Sequence, residues 1–283
     1  SRVKSIECVI NMGDIDAVVI SVPNYLIKPY VIACLEAGKH VFCEKPPGIN
    51  LSEVLAMKEA MVKSGCKLMF GFNHRHHQSI IKAKEEMDSG RFGEVLWMRG
   101  RYGKSVPENF YRDWRSKKES AGGGIFLDQG IHMLDLFIHL VGKFDEVKSI
   151  VSNLYWKGDV EDNVFALFKN NKGQVASLHS TMTQWRHIFS LEIFMERGYI
   201  VLNGLKTSSN SYGEEKLTFA MNRTYAPAAT WTEHEEHTFN VDDSWETELV
   251  IFRDAILKDR PIEICGIEDA QCLMEMVDKV YSQ

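Results

Sequence analysis

Residues 120 to 136 read Ser-Ala-Gly-Gly-Gly-Ile-Phe-Leu-Asp-Gln-Gly-Ile-His-Met-Leu-Asp-Leu. Three glycines stand directly before an apolar run that carries Asp128, His132 and Asp135. At i, i+4 and i+7 these three line one face if the run is a single helix. Ile125, Leu127, Ile131, Leu134, Leu136 and Phe137 make the remainder strongly apolar, so the helix is expected to be buried. A buried stripe of acid, imidazole and acid either pairs internally and with neighbouring backbone or is kept for chemistry. The segments before it decide between the two.

Ile15 to Val22 is a continuous apolar run closed by Pro23-Asn24, the pattern of a strand buried on both faces. Tyr25 to Ala37 reads as a helix stopped by Gly38, and His40 to Cys43 as a second buried strand. A helix capped by Ser52 runs to Ser64-Gly65, and Lys67 to Phe72 is a third strand. Strands alternating with helices of this length predict βαβ units and a parallel sheet, whose ligands bind at the carboxyl ends of the strands. Those ends are Ser21 to Asn24, Cys43 to Pro46 and Gly71 to Asn73, which ranks Asn24, Glu44, Lys45 and Asn73 first among the polar residues. His74-Arg75-His76-His77 follows at once. Sequential histidines cannot all point at one ion, so the metal reading yields to a polar rim of the cleft with Arg75 near an anionic ligand.

After a helix from Gln78 to Ser89 the texture changes to short strands: 94 to 102, 145 to 155, 164 to 168, 174 to 182, 189 to 195 and 199 to 202. Turns such as Asn170-Asn171-Lys172-Gly173 join several of them, which predicts an antiparallel sheet with one face on a core. The opening helix would lie between its first two strands. Residues 203 to 240 read as irregular apart from Lys216 to Phe219, and two amphipathic helices, 245 to 258 and 268 to 281, close the chain. The fold class expected is α/β: a partial Rossmann domain with a parallel sheet at 1–74, then an α+β domain with an open, largely antiparallel sheet at 75–283. The C-terminal helices are expected to pack back on the first domain.

The 283 residues are 45% hydrophobic and 25% charged, ordinary for a globular protein. A net charge of −6 and a pI near 5.9 disfavour nucleic-acid and anionic-membrane partners and suit small-molecule chemistry. No apolar run in the sequence approaches the roughly 18 residues of a membrane span, and no signal peptide is recognisable, so the cytoplasm is the expected compartment. Six cysteines without a C-x-x-C pair read as reduced, mainly buried thiols.

Two segments carry a resemblance. Ala37-Gly38-Lys39-His40-Val41-Phe42-Cys43-Glu44-Lys45-Pro46, and Gly122-Gly123-Gly124-x-x-x-Asp128-x-Gly130-x-His132-x-x-Asp135, at this separation, resemble the Gfo/Idh/MocA family of NAD(P)-dependent oxidoreductases. The resemblance implies a Rossmann domain and a substrate domain whose open sheet mediates a homo-oligomer, dimer or tetramer. It implies that Lys45, Asp128 and His132 surround the reacting carbon. It also implies contacts to NAD or NADP at Ser21, Pro23, Asn24, Glu44, Lys45 and Asn73, and at the Trp114-Arg115 pair. Hydride transfer from a secondary alcohol requires a proton to leave its oxygen, and the intrinsic pKa of His132 suits that role. Lys45 can donate to a developing alkoxide, Asp128 can orient the imidazole or a substrate hydroxyl, and Asp135 is expected to be buried and paired.

The sequence departs from the pattern in two places. Many family members have a histidine four residues after the proline that ends the first strand; this chain has Ile27. There is also no G-x-G-x-x-G turn with its acidic ribose partner, and the chain opens at Ser1 in a helix-like stretch, Arg2 to Asn11. By resemblance that turn lies upstream, so the nucleotide domain is expected to be N-terminally incomplete and to bind cofactor weakly or not at all, which titration with NADH tests. The expected substrate is a polyhydroxylated small molecule, a sugar, cyclitol or sugar-nucleotide; Tyr102, Tyr111, Arg112, Trp156, His179 and Trp185 would suit it. The alternative, a non-catalytic sensor of cofactor or sugar, would be expected to lack Lys45, Asp128 and His132.

Overall fold

The computed structural model describes residues 5–223, 225–226 and 233–283; the side chain of Tyr111 lies outside this set, as does the expected helix start at Arg2. The first layer comprises α1 (Ile6–Ile10), β1 (Ala17–Ile20), α2 (Ile27–Glu36), β2 (His40–Glu44), α3 (Leu51–Ser64) and β3 (Leu68–Gly71). Its three strands are parallel in the order β1-β2-β3, with Ala17 beside His40 and Val41 beside Leu68. Gly38, at φ +73°, ends α2 in a conformation that costs glycine little. Two expectations fail locally. β1 is not buried on both faces: among the described residues only β2 pairs with it, and Val19 is 60% exposed. The cap of α3 is Asn50, not Ser52, because the Asn50 side chain accepts from the Glu53 N–H while Glu53 in turn accepts from Ile49 N.

After α4 (Gln78–Asp88) the second sheet takes β4 (Val95–Ser105), β5 (Glu146–Ser152), β6 (Asn163–Lys169), β7 (Val175–Thr181), β8 (Thr183–Met195), β9 (Gly198–Asn203), β10 (Glu215–Met221) and β11 (Glu235–Phe239). The order is β11-β10-β9-β8-β4-β7-β6-β5, antiparallel except for the parallel pair β4–β7. β11 falls in the stretch expected to be irregular; its Glu-Glu-His-Thr-Phe has no alternating apolar face, and its pairing to β10 rather than local propensity makes it a strand. Along β6 burial alternates, with Val164, Ala166 and Phe168 inside and Phe165 and Leu167 outside.

Between β4 and β5 lies the quoted stretch: α5 (Lys118–Ala121), a π-helical turn at Phe126–Gly130, and α6 (Ile131–Val141). The whole run Lys118–Val141 is long and apolar enough to cross a membrane, contrary to the sequence expectation, and 78% of its most apolar window is buried inside the protein, as in a core helix. α7 (Ser244–Leu257) and α8 (Ile267–Tyr281) return to the first sheet. Phe252 meets Phe42 edge-on at 5.8 Å, Phe70 N donates to Cys265 O at 2.8 Å, and Lys58 on α3 holds Glu268 at 2.7 Å. One contiguous apolar cluster therefore runs from Ile20 to Val280 and spans both sheets.

Candidate active site

The three glycines bring the two sheets together. A Cβ on Gly122 would lie 2.7 Å from Ile49 Cβ, and one on Gly124 would collide with the Glu161 carbonyl oxygen, so only bare backbone can pass. Glu161 binds this backbone from the other side, accepting from Gly124 N at 2.7 Å, Phe126 N at 3.1 Å and the Tyr281 hydroxyl at 2.9 Å. The π-helical turn then presents Asp128. A turn of this kind interrupts the α-helical register, so the expected single stripe is broken and Asp128, His132 and Asp135 meet different neighbours.

Lys45, at the carboxyl end of β2, donates to the Asp128 carbonyl oxygen at 2.6 Å and lies 3.4 Å from its Oδ1. The Lys45–Pro46 bond is cis. Lys104, near the end of β4, binds the other carboxylate oxygen, Oδ2. Burial works against the Asp128 charge, but Lys45, Lys104 and Arg115 outweigh it and hold the carboxyl well below the usual range. An ionised aspartate is thus clamped between one ammonium from each sheet.

His132 is 5% exposed and lies flat on His74, with centroids 3.8 Å apart and planes 17° apart. The near-neutral pKa expected of it does not hold: burial, then Lys45 and His77, push it well below the ordinary value, so the ring is neutral. His74 is lowered in the same way by burial, His132 and His77. Its Nδ1 faces Asn73 Oδ1 at 3.0 Å and its Nε2 the Tyr102 hydroxyl at 2.9 Å. Tyr102 packs against Tyr212, which donates to Gln129 beside Asp128 in sequence.

The polar rim expected at 74–77 is instead buried. All four side chains are inside, and Arg75 is no anion receptor: its Nε and Nη2 hold Asp135 at 2.8 and 2.6 Å and its Nη1 holds Asp269 at 2.8 Å. His77 pairs with buried Glu215 at 2.9 Å. Among the described residues no group of three His, Cys, Asp or Glu is placed to hold a metal ion.

Of the residues implied for cofactor contact, Ser21 is exposed, and Pro23, Glu44 and Lys45 are half-buried along the carboxyl edge of the parallel strands. The Glu44 carboxyl lies against Gly71, where an added Cβ would meet its Oε1 at 3.1 Å, and burial, tempered by Lys45, raises its pKa. The amides of Asn24 and Asn73 are occupied by protein partners: Asn24 donates to Ala121 O at 2.8 Å, and Asn73 to Ser244 Oγ at 3.1 Å. Arg115 stacks on Trp114 at 4.5 Å and lines, with Lys104, Arg112 and Asp128, a cleft of about 570 Å³. An open carboxyl edge with one ammonium beside an ionised acid fits the nicotinamide end of a dinucleotide. His179, expected to suit a sugar, stacks on Phe165 at 4.1 Å on the outer face of the sheet instead. Trp156 and Trp185 join Tyr155 in a separate ring cluster.

Sequence reasoning missed Lys104 as a neighbour of the site, and it placed His74 on a polar rim and not against His132. The strand expected at 94 to 102 runs on to Ser105 through an irregularity between Gly103 and Ser105, and Lys104 in that irregular step reaches Asp128.

A model of an oxidoreductase family with an NAD-binding Rossmann fold matches residues 1–72, and a model of the Gfo/Idh/MocA C-terminal domain matches residues 80–201. The chain belongs to the Gfo/Idh/MocA oxidoreductase family. It is 31% identical to levoglucosan dehydrogenase of Pseudarthrobacter phenanthrenivorans over 69% of this chain and 57% of that protein. It is also 31% identical to myo-inositol 2-dehydrogenase of Thermotoga maritima over 69% and 59%. The structure of levoglucosan dehydrogenase in complex with NADH and levoglucosan superposes with a TM-score of 0.83 at 25% identity, covering 98% of this chain and 80% of that one. The match spans somewhat more than half the length of each of these two relatives.

Proposed function

We propose that this protein is an NAD(P)-dependent oxidoreductase that moves a hydride between a nicotinamide and a secondary alcohol or ketone of a sugar, cyclitol or sugar-nucleotide. The observation that carries the reading is the ionised Asp128 clamped between Lys45 and Lys104 beside the neutral His132. Nicotinamide, when bound, takes or gives the hydride. The chain's own residues handle the oxygen. Asp128 accepts from a substrate hydroxyl and orients it. The ammonium of Lys45 faces the developing alkoxide, where a fixed positive charge in a partly dry cleft lowers the barrier. His132, kept neutral by burial, is free to take the proton. Ser21, Pro23, Glu44 and Lys45 would hold the nicotinamide end, together with Trp114 and Arg115.

The sugar class draws support from relatives named for levoglucosan and myo-inositol. A screen of sugars and cyclitols that follows the absorbance of reduced nicotinamide tests the reading, with Lys45→Ala and His132→Ala as controls. If either variant turned over as fast as wild type, the assignment would fail.

Assembly through the open sheet belongs to the same proposal. Its outer face exposes Trp97, Ile150, Phe165 and Leu167, the last at 53%, an apolar patch of the kind that marks an interface. Light scattering on a size-exclusion column checks it: a monomer at micromolar concentration excludes the homo-oligomer.

A further inference from the structure

Functional imidazoles are usually aimed through the ring nitrogen that does not react, which donates to a carboxylate or carbonyl. His132 lacks that tether, since its Nδ1 is buried without a hydrogen-bond partner among the described residues. What touches the ring is another ring. His74 lies flat against it at 3.8 Å, and Phe72 meets it edge-on at 6.1 Å.

His74 itself is tied at both nitrogens, and the direction of each bond follows from the far end of a chain of contacts. The Asp242 carboxylate can only accept, so the Ser244 hydroxyl donates to its Oδ1 at 2.6 Å. The Ser244 oxygen is then free to receive the Asn73 Nδ2–H at 3.1 Å. That orients the Asn73 amide and turns its Oδ1, a pure acceptor, toward His74. Nδ1 of His74 must therefore carry the ring proton. Nε2 is left bare and accepts from the Tyr102 hydroxyl at 2.9 Å.

We propose that His74 is a positioning residue, locked as the Nδ1–H tautomer by the relay Asp242–Ser244–Asn73, whose fixed ring plane orients His132. The consequence for proton transfer rests on the oxidoreductase reading; the lock itself does not. With hydrogen bonds at both ends, the His74 ring cannot turn without breaking one of them, so the stacked ring inherits its direction.

The test is a long-range nitrogen–hydrogen correlation spectrum of the protein labelled at its histidine rings. Wild-type His74 is expected to show a protonated Nδ1 and a bare Nε2. Ser244→Ala frees the Asn73 amide to flip and should populate the Nε2–H form; Ser244→Thr keeps the hydroxyl and should restore the wild-type pattern. Ring-carbon relaxation reads the second half: His74→Ala should loosen His132, whereas His74→Phe, which keeps a flat ring, should not. A proton on Nε2 of wild-type His74, or an unchanged His74 spectrum in Ser244→Ala, overturns the lock. Equal order of the His132 ring in wild type and His74→Ala overturns the positioning role. None of these measurements needs turnover, so a failed sugar screen would sink the oxidoreductase reading and leave this result legible. With a substrate in hand, His74→Ala should lower kcat about tenfold and leave KM within about twofold, as misorientation of a reacting group does.

Discussion

Asp128 and Asp135 stand seven residues apart on one helical run and have opposite surroundings. Asp135 is 1% exposed and closed: Arg75 takes both its oxygens, and the third guanidinium arm goes to Asp269. Burial opposes both charges and raises the Asp135 pKa despite the guanidinium beside it, but Asp135 and Asp269 raise the Arg75 pKa above the ordinary value, so the guanidinium stays charged. Asp128 has two ammoniums from two sheets, keeps 27% of its side chain exposed and borders a cleft. The number of charges is similar; their accessibility is not. A buried ion pair whose donors are all occupied holds the fold, and one left open to a cleft is available for chemistry.

The sharpest way to break that contrast is to neutralise each acid. Asp128→Asn should lower kcat about 10²-fold while the melting temperature changes little, as loss of a group that orients the reacting hydroxyl does. Asp135→Asn should do the reverse. It strands the Arg75 guanidinium inside the protein and should cost about 3–5 kcal/mol of stability, read from denaturant unfolding, with the activity of the folded fraction kept. If both variants lost stability equally, the distinction between an open and a closed network would collapse. Lys104→Met removes one jaw of the clamp and should reduce kcat by about tenfold, or roughly 1.4 kcal/mol of barrier; an unchanged kcat would reduce Lys104 to a surface contact.

A third acid tests the same contrast through pH. Glu248 on α7 is fully buried with neither oxygen hydrogen-bonded, and burial, then Glu44 and Asp242, push its pKa up to about 9. The folded-state value lies above the unfolded one of 4.5, so the protonated form is favoured on folding. Its contribution is present in full below pH 4.5 and fades as pH rises toward 9. Glu248→Met should therefore stabilise the protein by about 4 kcal/mol more at pH 8 than at pH 5, at about 1.4 kcal/mol per pH unit, visible as a larger rise in melting temperature at pH 8. A shift independent of pH would show that the carboxyl is not held protonated.

Much of this was legible in the chain. The parallel strands, the helices between them and the strand-rich second half follow from periodicity and from glycine punctuation, because those signals are local. The meeting of Lys45 with Asp128 was implied by the two motifs. What local pattern could not give were partners chosen across the fold. Arg75 finds Asp135, His74 finds both His132 and Tyr102, and Lys104 reaches Asp128 from a strand end. In sequence each looks like an ordinary polar residue beside a cleft. The direction of the His132 shift was equally hidden, since an imidazole's pKa depends on what buries it.

The placement of β4 has a temporal consequence. Its two neighbours in the sheet, β7 and β8, come long after it in the chain, with α6, β5 and β6 lying between. Bringing such distant strands together carries the closure entropy of a long loop, which slows pairing. Tyr102 and Lys104 ride on β4, so neither reaches its place until the centre of the sheet zips shut. We expect the cleft to be among the last parts of the molecule to mature. Pulse-labelled hydrogen exchange during refolding would read this directly: the amides of Tyr102 and Lys104 should gain protection together with those of β7 and β8, after α2 and α3 are already protected.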